Sequence, residues 1–94
     1  MLVEPLDNVA AKALIRRILS AGQVALSHHV SKRLKERSID PEDVLNVLRG
    51  GLVDGCDMED GTWRYRVRTP RFYVVVAFRS EDEMRVVTAW RIEP

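Results

Sequence analysis

The sequence predicts an α+β domain, with two to three N-terminal helices packed on one face of a curved antiparallel sheet of three to four strands. Two observations carry this prediction. Apolar residues recur at helical spacing in the first half of the chain, and they alternate with polar residues at strand spacing in the second half. The chain has 94 residues, the size of one domain, so residues 1–94 are expected to form a single unit.

The first two helices are predicted from their caps and from their apolar stripes. Asp7 can cap a first helix, which is expected to end at Gly22 because glycine favours helix termination. Residues 24–26 form a short extended piece. Ser27 can then cap a second helix that runs to about Arg37.

The third helix has the clearest start signal. In Asp40-Pro41-Glu42-Asp43, aspartate suits the cap, proline suits the first helical position and acids suit the first turn. Gly50-Gly51 is expected to end this helix. Residues 52–56 then resemble a weak strand, and Asp60-Gly61 is a hairpin turn signal.

The remaining strands are predicted to form an antiparallel meander. Phe72–Phe78 is apolar on both faces, which indicates the central strand. Trp63 and Trp90 fall on the apolar positions of the flanking strands. We therefore expect both rings to be buried between the sheet and the helices, rather than to serve as platforms for stacking bases.

The opposite face of this sheet is expected to collect arginines around a floor of Val87 and Ala89. The alternation places five there: Arg64, Arg66, Arg68, Arg85 and Arg91. The net charge of the chain is only +1, but residues 61–94 carry seven arginines against four acids, a net of +3. Guanidinium groups suit phosphates and stack on bases. The alternative is that arginine is simply common on the solvent side of a sheet.

One stripe of the second helix combines a titratable group with two cations. His29, Arg33 and Arg37 are spaced by four residues, so they share a helix face. This arrangement suits an acid–base histidine beside fixed positive charge. The alternative is a structural histidine in an ion-pair helix.

Other kinds of site find little support. His28 and His29 point to different sides of a helix, so no metal site is predicted, and the sequence indicates no cofactor. The acids at residues 54–60 lead into a turn and lack the spacing of a calcium loop. A lone Cys56 cannot form an internal disulfide, and no signal peptide or membrane span is evident. A cytoplasmic location is the resulting expectation.

Residues 27–44 resemble an uncharacterised bacterial domain family, whose hallmark is a His-x3-Arg-x3-Arg-Gly-Ile helix followed by an acid-capped helix. The family's Tyr-x-Val and Val-Thr strands resemble Tyr65-Arg66-Val67 and Val87-Thr88 here, so the match covers roughly residues 24–92. Ser38 stands where the family usually has glycine. Such domains are distantly similar to the RelE/ParE toxin superfamily, many members of which cleave mRNA, often on the ribosome, and are neutralised by an antitoxin.

The resemblance implies a RelE-like fold and a toxin-like RNA-binding protein, as a metal-independent endoribonuclease of a toxin–antitoxin pair. His29 would act as acid or base, Arg33 and Arg37 would stabilise the phosphorane, and Tyr65 would orient or protonate if it faced outward, although the strand alternation places Tyr65 on the apolar face with Trp63 and Val67. Substrate contacts would come from Arg64, Arg66, Arg68, Arg85, Thr88 and Arg91. RNA, including ribosome-bound mRNA, and an antitoxin would be the partners, with no membrane involved. The alternative is a non-catalytic module that binds an acidic protein through the arginine-rich face.

Overall fold

The computed structural model describes residues 1–92 and confirms the α+β class. The helices are α1 (Asn8–Ala21), α2 (His28–Glu36) and α3 (Pro41–Gly50). The strands are β1 (Gln23–Ala25), β2 (Leu52–Glu59), β3 (Thr62–Arg68), β4 (Phe72–Phe78) and β5 (Glu83–Arg91). In this part of the chain, no helix combines the length and the apolar character needed to cross a bilayer.

The sheet is larger than predicted and is mixed. Its order is β1-β5-β4-β3-β2, so the predicted central position of β4 is confirmed. Strands β2 to β5 form the antiparallel meander, whereas β1 pairs in parallel with Glu83–Arg85 of β5. Because β1 covers only these three residues, the rest of the β5 edge is left for another element, and α2 packs there.

The helices begin where the sequence predicts. The side chain of Asp7 accepts a hydrogen bond from the Ala10 amide at 2.8 Å, and that of Ser27 accepts one from the Val30 amide at 3.1 Å. Asp40 takes part in a capping box at the start of α3. These side chains satisfy amides that have no partner inside the first helical turn.

The core lies between the helices and one face of the sheet. Its largest fully buried side chains are Ile15, Ile18, Val44, Leu48, Tyr65, Val67, Val74, Val76 and Met84. Lys12 links α1 to the end of α3, because its Nζ donates to the carbonyl oxygens of Leu48 at 2.9 Å and Gly51 at 2.6 Å. The cation thereby satisfies carbonyls at the negative end of the α3 dipole.

Strand β5 departs from the predicted alternation at a bulge. Val76 of β4 pairs with Val86, but Val75 pairs with Thr88, so Val87 is an extra residue. Since side chains alternate between the faces of a strand, one extra residue reverses the face of every side chain after it.

This reversal makes the prediction for Trp90 wrong. Ala89 occupies the buried position in place of Trp90 and is fully buried. Trp90 lies on the opposite face, is 37% exposed and stacks on Tyr73, with ring centroids 5.1 Å apart and planes at 28°. Trp63 lies on β3 and not on the bulged strand, and it is partly buried and packs against the core as predicted.

The same reversal displaces Arg91 from the arginine-rich face, where it was predicted. Its guanidinium lies 5.1 Å from the ring centroid of Phe72, and it donates to the carbonyl oxygen of Ser38 at 2.5 Å. Phe72 packs against the core cluster. Arg91 therefore joins the end of β5 to the segment after α2.

Tyr65 is fully buried on the helix side of β3. Its hydroxyl donates to Glu4 Oε2 at 2.8 Å and accepts from the Leu6 amide at 3.0 Å. Burial is the main cause that raises the pKa of Tyr65 above its ordinary value of 10.0, and the Glu4 carboxylate adds to this effect.

Replacing Tyr65 by phenylalanine should lower the free energy of unfolding by about 1–2 kcal/mol at neutral pH, because the Leu6 amide and Glu4 lose their partner. The folded state holds the neutral phenol, so this stabilisation is present below pH 10.0 and is lost as the pH rises further. Urea unfolding of both proteins at about pH 7 and about pH 11 measures the effect. A difference that does not shrink at the higher pH contradicts this assignment.

Candidate nucleic-acid cleft

A cleft of about 230 Å³ lies between α2 and the β5 edge. Three elements contribute to its walls. The lining residues are His29, Val30, Arg33 and Leu34 of α2, Arg64 of β3, and Val87, Thr88 and Ala89 of β5.

Helix α2 presents His29 and Arg33 to this cleft because its apolar side is held by the core. Val30 and Leu34 are one turn apart and are 8% and 2% exposed. His29 and Arg33 each precede one of these anchors by one residue, so they lie beside the buried stripe. Both side chains are exposed, so an incoming ligand can reach the imidazole and the guanidinium.

Arg37 fixes the end of α2 to β5. Its Nη1 donates to Thr88 Oγ1 at 3.1 Å and to the carbonyl oxygen of Ala89 at 2.7 Å. The β5 edge beyond β1 offers this carbonyl, which β1 is too short to pair. Arg37 therefore positions α2 beside the cleft and adds a positive charge at its rim.

Arg64 reaches the cleft from β3, two strands away. Arg64 directly precedes Tyr65, which pairs with Val76 of β4, and its side chain extends over β4 to the cleft. Its guanidinium lies 3.4 Å from Glu59 Oε2 and 4.0 Å from Asp60 Oδ2. Within residues 1–92, its Nε is buried without a hydrogen-bond partner. Arg64 thus brings a donor to the cleft, although part of its charge is already paired.

The other two arginines of β3 are paired with acids of β2. The guanidinium of Arg66 contacts the carboxylate of Asp57, and Arg68 Nε lies 3.5 Å from Asp54 Oδ2. Gly55 adopts a φ of +88°, a conformation that favours glycine, and a Cβ there would lie 2.7 Å from Arg66 Nη2 and would displace this guanidinium. The β2–β3 half of the arginine-rich face is therefore largely neutralised by its own carboxylates.

A family described as Domain of unknown function (DUF4258) matches residues 26–91. The chain belongs to this family. The comparisons with curated proteins and with solved structures gave no match. The DUF4258 segment runs from just before α2 into the last residues of β5, so it contains every residue that lines the cleft.

Two predicted site residues of the DUF4258 segment, Tyr65 and Arg91, lie on the helix side of the sheet. Tyr65 was expected to orient or protonate a substrate, but it is fully buried and its hydroxyl is bonded to Glu4 and Leu6. Arg91 was expected to contact substrate and instead packs on Phe72. Tyr65 faces the helices because of the regular alternation of β3, whereas Arg91 faces them because the bulge in β5 reverses the alternation there.

The remaining predicted substrate contacts divide between the two halves of the sheet. Thr88 lines the cleft, and its hydroxyl already accepts from Arg37. Arg85 is exposed on β5, close to the parallel pairing with β1. Arg66 and Arg68 lie on the neutralised half.

Sequence reasoning missed the partners of these arginines, although a signal was present. The Asp60-Gly61 turn predicts the hairpin, and a hairpin turn fixes which residues of its two strands face each other. This register places Asp57 opposite Arg64 and therefore brings an acid of β2 next to the arginines of β3, although the carboxylate of Asp57 contacts Arg66, the next arginine on the same face. Among the residues described, no three His, Cys, Asp or Glu side chains gather as ligands for a metal ion.

The α2 helix of this DUF4258 domain ends in a Schellman motif. The Ile39 amide donates to the Leu34 carbonyl at 2.9 Å, and the Ser38 amide donates to the Lys35 carbonyl at 3.1 Å. Ile39 and Leu34 are both buried, which supplies the apolar contact of the motif. Ser38 has a φ of +56°, the left-handed conformation that favours glycine.

Replacing Ser38 by glycine should therefore raise the free energy of unfolding by about 0.5–1 kcal/mol, since glycine adopts this conformation without a Cβ penalty. Ser38→Val should lower it by more than about 1 kcal/mol, because a β-branched residue is strained there. Urea denaturation of the three proteins measures both effects. Equal stability of the glycine and valine variants would show that the backbone at this position is unstrained.

Proposed function

We propose that this domain binds single-stranded RNA at the α2–β5 cleft and cleaves its backbone without a metal ion. The observation that carries the proposal is the shared cleft itself, in which His29 and Arg33 of α2 lie with Arg64 of β3. A titratable imidazole beside two guanidinium groups suits acid–base chemistry on an anionic phosphodiester. The resemblance of the α2 segment to domains similar to RelE/ParE toxins supports the same reaction class.

The reaction would use the nucleophile that RNA itself supplies. The ribose 2′-oxygen attacks the adjacent phosphorus as it loses its proton, and the bond from phosphorus to the 5′-oxygen breaks as that oxygen gains a proton. The products are a 2′,3′-cyclic phosphate and a free 5′-hydroxyl. His29 would mediate one of these proton transfers and water the other, while Arg33 and Arg64 would stabilise the charge of the phosphorane.

The distribution of ion pairs supports phosphate binding on the α2 side. Among residues 1–92, Arg33 and Arg37 form no ion pair, whereas Arg66 and Arg68 are paired with carboxylates. A phosphate at the cleft would meet uncompensated guanidinium charge. A phosphate over β2 would meet Asp54 and neighbouring acids instead.

This distribution also weakens the alternative of an acidic protein partner bound through the whole arginine-rich face. An acidic segment there would have to displace the carboxylates of β2 from Arg66 and Arg68. Such an exchange replaces one ion pair by another and brings little net electrostatic stabilisation. A phosphate bound at Arg33 would displace no carboxylate, because Arg33 forms no ion pair among residues 1–92.

His29→Ala should lower the rate of RNA cleavage about 100-fold or more, because it removes the acid–base group. His28→Ala is the matched control, since His28 is the neighbouring exposed imidazole and does not line the cleft. The assay follows RNA integrity in the presence of EDTA, with and without ribosomes. If His29→Ala and wild type leave the RNA equally cleaved, or equally intact, in both conditions, the nuclease proposal is lost.

Arg33→Ala should weaken binding of a short single-stranded oligonucleotide and make it less sensitive to salt. Loss of one phosphate contact should reduce the slope of log affinity against log salt by about 0.7. Lys35→Ala removes a charge from the same helix away from the cleft, and Arg68→Ala removes a paired guanidinium. Fluorescence anisotropy across a salt series should leave both controls near wild type. A slope change shared by all three variants would indicate a diffuse charge effect rather than a site.

A further inference from the structure

An aromatic pair lies next to the cleft on the open face of the sheet. Tyr73 and Trp90 are cross-strand partners, and their rings stack at 5.1 Å with an angle of 28° between planes. Trp90 is 37% exposed, although it carries one of the largest apolar side chains in the domain. The stacked ring of Tyr73 holds the indole in place, so a ligand would find it already oriented.

Trp90 and the cleft are adjacent along β5. Thr88, which lines the cleft, lies two residues before Trp90, so both side chains project from the same face at a spacing of about 7 Å. A ligand with a phosphate in the cleft would therefore have its neighbouring group beside the indole.

Charge selects the direction in which such a ligand would extend. On the β3 side of the pair, the Tyr73 hydroxyl lies 3.5 Å from Asp54 Oδ2, and this carboxylate also contacts Arg68. On the β5 side, Arg37 donates to Thr88. An anionic chain would thus run along β5 from Trp90 toward α2, away from Asp54.

We propose that Trp90, held by Tyr73, is a stacking platform for an unpaired base whose neighbouring phosphate lies in the cleft. The inference rests on the proposed RNA ligand and extends it, because it assigns a base-binding subsite to a residue outside the cleft. A base in a duplex already stacks on its neighbours, so the platform selects single strands. Since every base has a π-face, this contact adds affinity with little sequence preference.

The test separates binding from cleavage with a fluorescein-labelled 2′-deoxy oligonucleotide, which lacks the attacking hydroxyl. Trp90→Ala should weaken its binding roughly 5- to 150-fold in fluorescence anisotropy, the range found for loss of one stacked base. Trp90→Phe, which keeps a ring, should bind within a few-fold of wild type. Trp63→Phe is the matched control on the core face of the sheet, and thermal melting verifies that each variant is folded.

Two further readouts distinguish a platform from a purely structural role. An oligomer of abasic residues with the same number of phosphates should bind wild type and Trp90→Ala equally. Oligonucleotide binding should quench the tryptophan emission of wild type, but not that of Trp90→Phe, in which Trp63 is the remaining tryptophan. Full affinity of folded Trp90→Ala, or equal wild-type affinity for abasic and base-containing oligomers, overturns the platform.

The outcomes also separate this inference from the nuclease proposal. If binding depends on the bases and requires Trp90, but RNA is not cleaved, the platform stands and the nuclease proposal is overturned. If RNA cleavage requires His29 but binding of the oligonucleotide does not depend on Trp90, the platform is overturned and the nuclease proposal stands. If wild type binds neither oligomer, the platform is overturned, and the nuclease proposal is decided by the RNA cleavage assay.

Discussion

One extra residue in β5 determines which side chains meet beside α2. Without the bulge at Val87, strict alternation would carry Trp90 into the core and Ala89 onto the open face. The bulge instead buries Ala89, a residue small enough for α2 to approach the strand closely. It also turns the Thr88 hydroxyl toward Arg37. The close approach of α2 and the polar contact that fixes it therefore have the same backbone cause.

Helix α2 is held by two different kinds of interaction, and the cleft needs both. Burial of Val30 and Leu34 fixes which side of the helix faces the core, but apolar contacts are not directional. Arg37 supplies the directional contact, because its two hydrogen bonds to β5 set the distance of the helix end from the strand. The positions of His29 and Arg33 depend on this placement, since the same helix carries both side chains.

The sequence predicted the elements well because their signals are local. Asp7, Ser27 and Asp40 cap the helices as expected, and β4 is central because its apolar run needs cover on both faces. For β5, the sequence predicted correctly which side of the sheet each side chain faces only as far as Val86. A bulge has no reliable mark in a run such as Val86-Val87-Thr88, since it depends on how the strand fits its neighbour. The parallel pairing of β1 was missed for a related reason, because three residues carry too little pattern to indicate a partner.

The pairing of β2 with β3 explains why a face rich in arginine is not a uniformly cationic surface. A count of arginines suggested a broad phosphate-binding sheet, but charge acts through its neighbours within a few ångströms. The hairpin places acids beside Arg64, Arg66 and Arg68. The irregularity of β2 at Gly55 lets the Arg66 guanidinium lie against the β2 backbone, where its Nε donates to the Asp54 carbonyl. The half of the face near α2 lacks such an acidic strand among residues 1–92. Among residues 1–92, local pairing, and not the number of arginines, therefore determines that the guanidinium groups without a carboxylate partner include Arg33 and Arg37, on the helix that also carries the imidazole of His29.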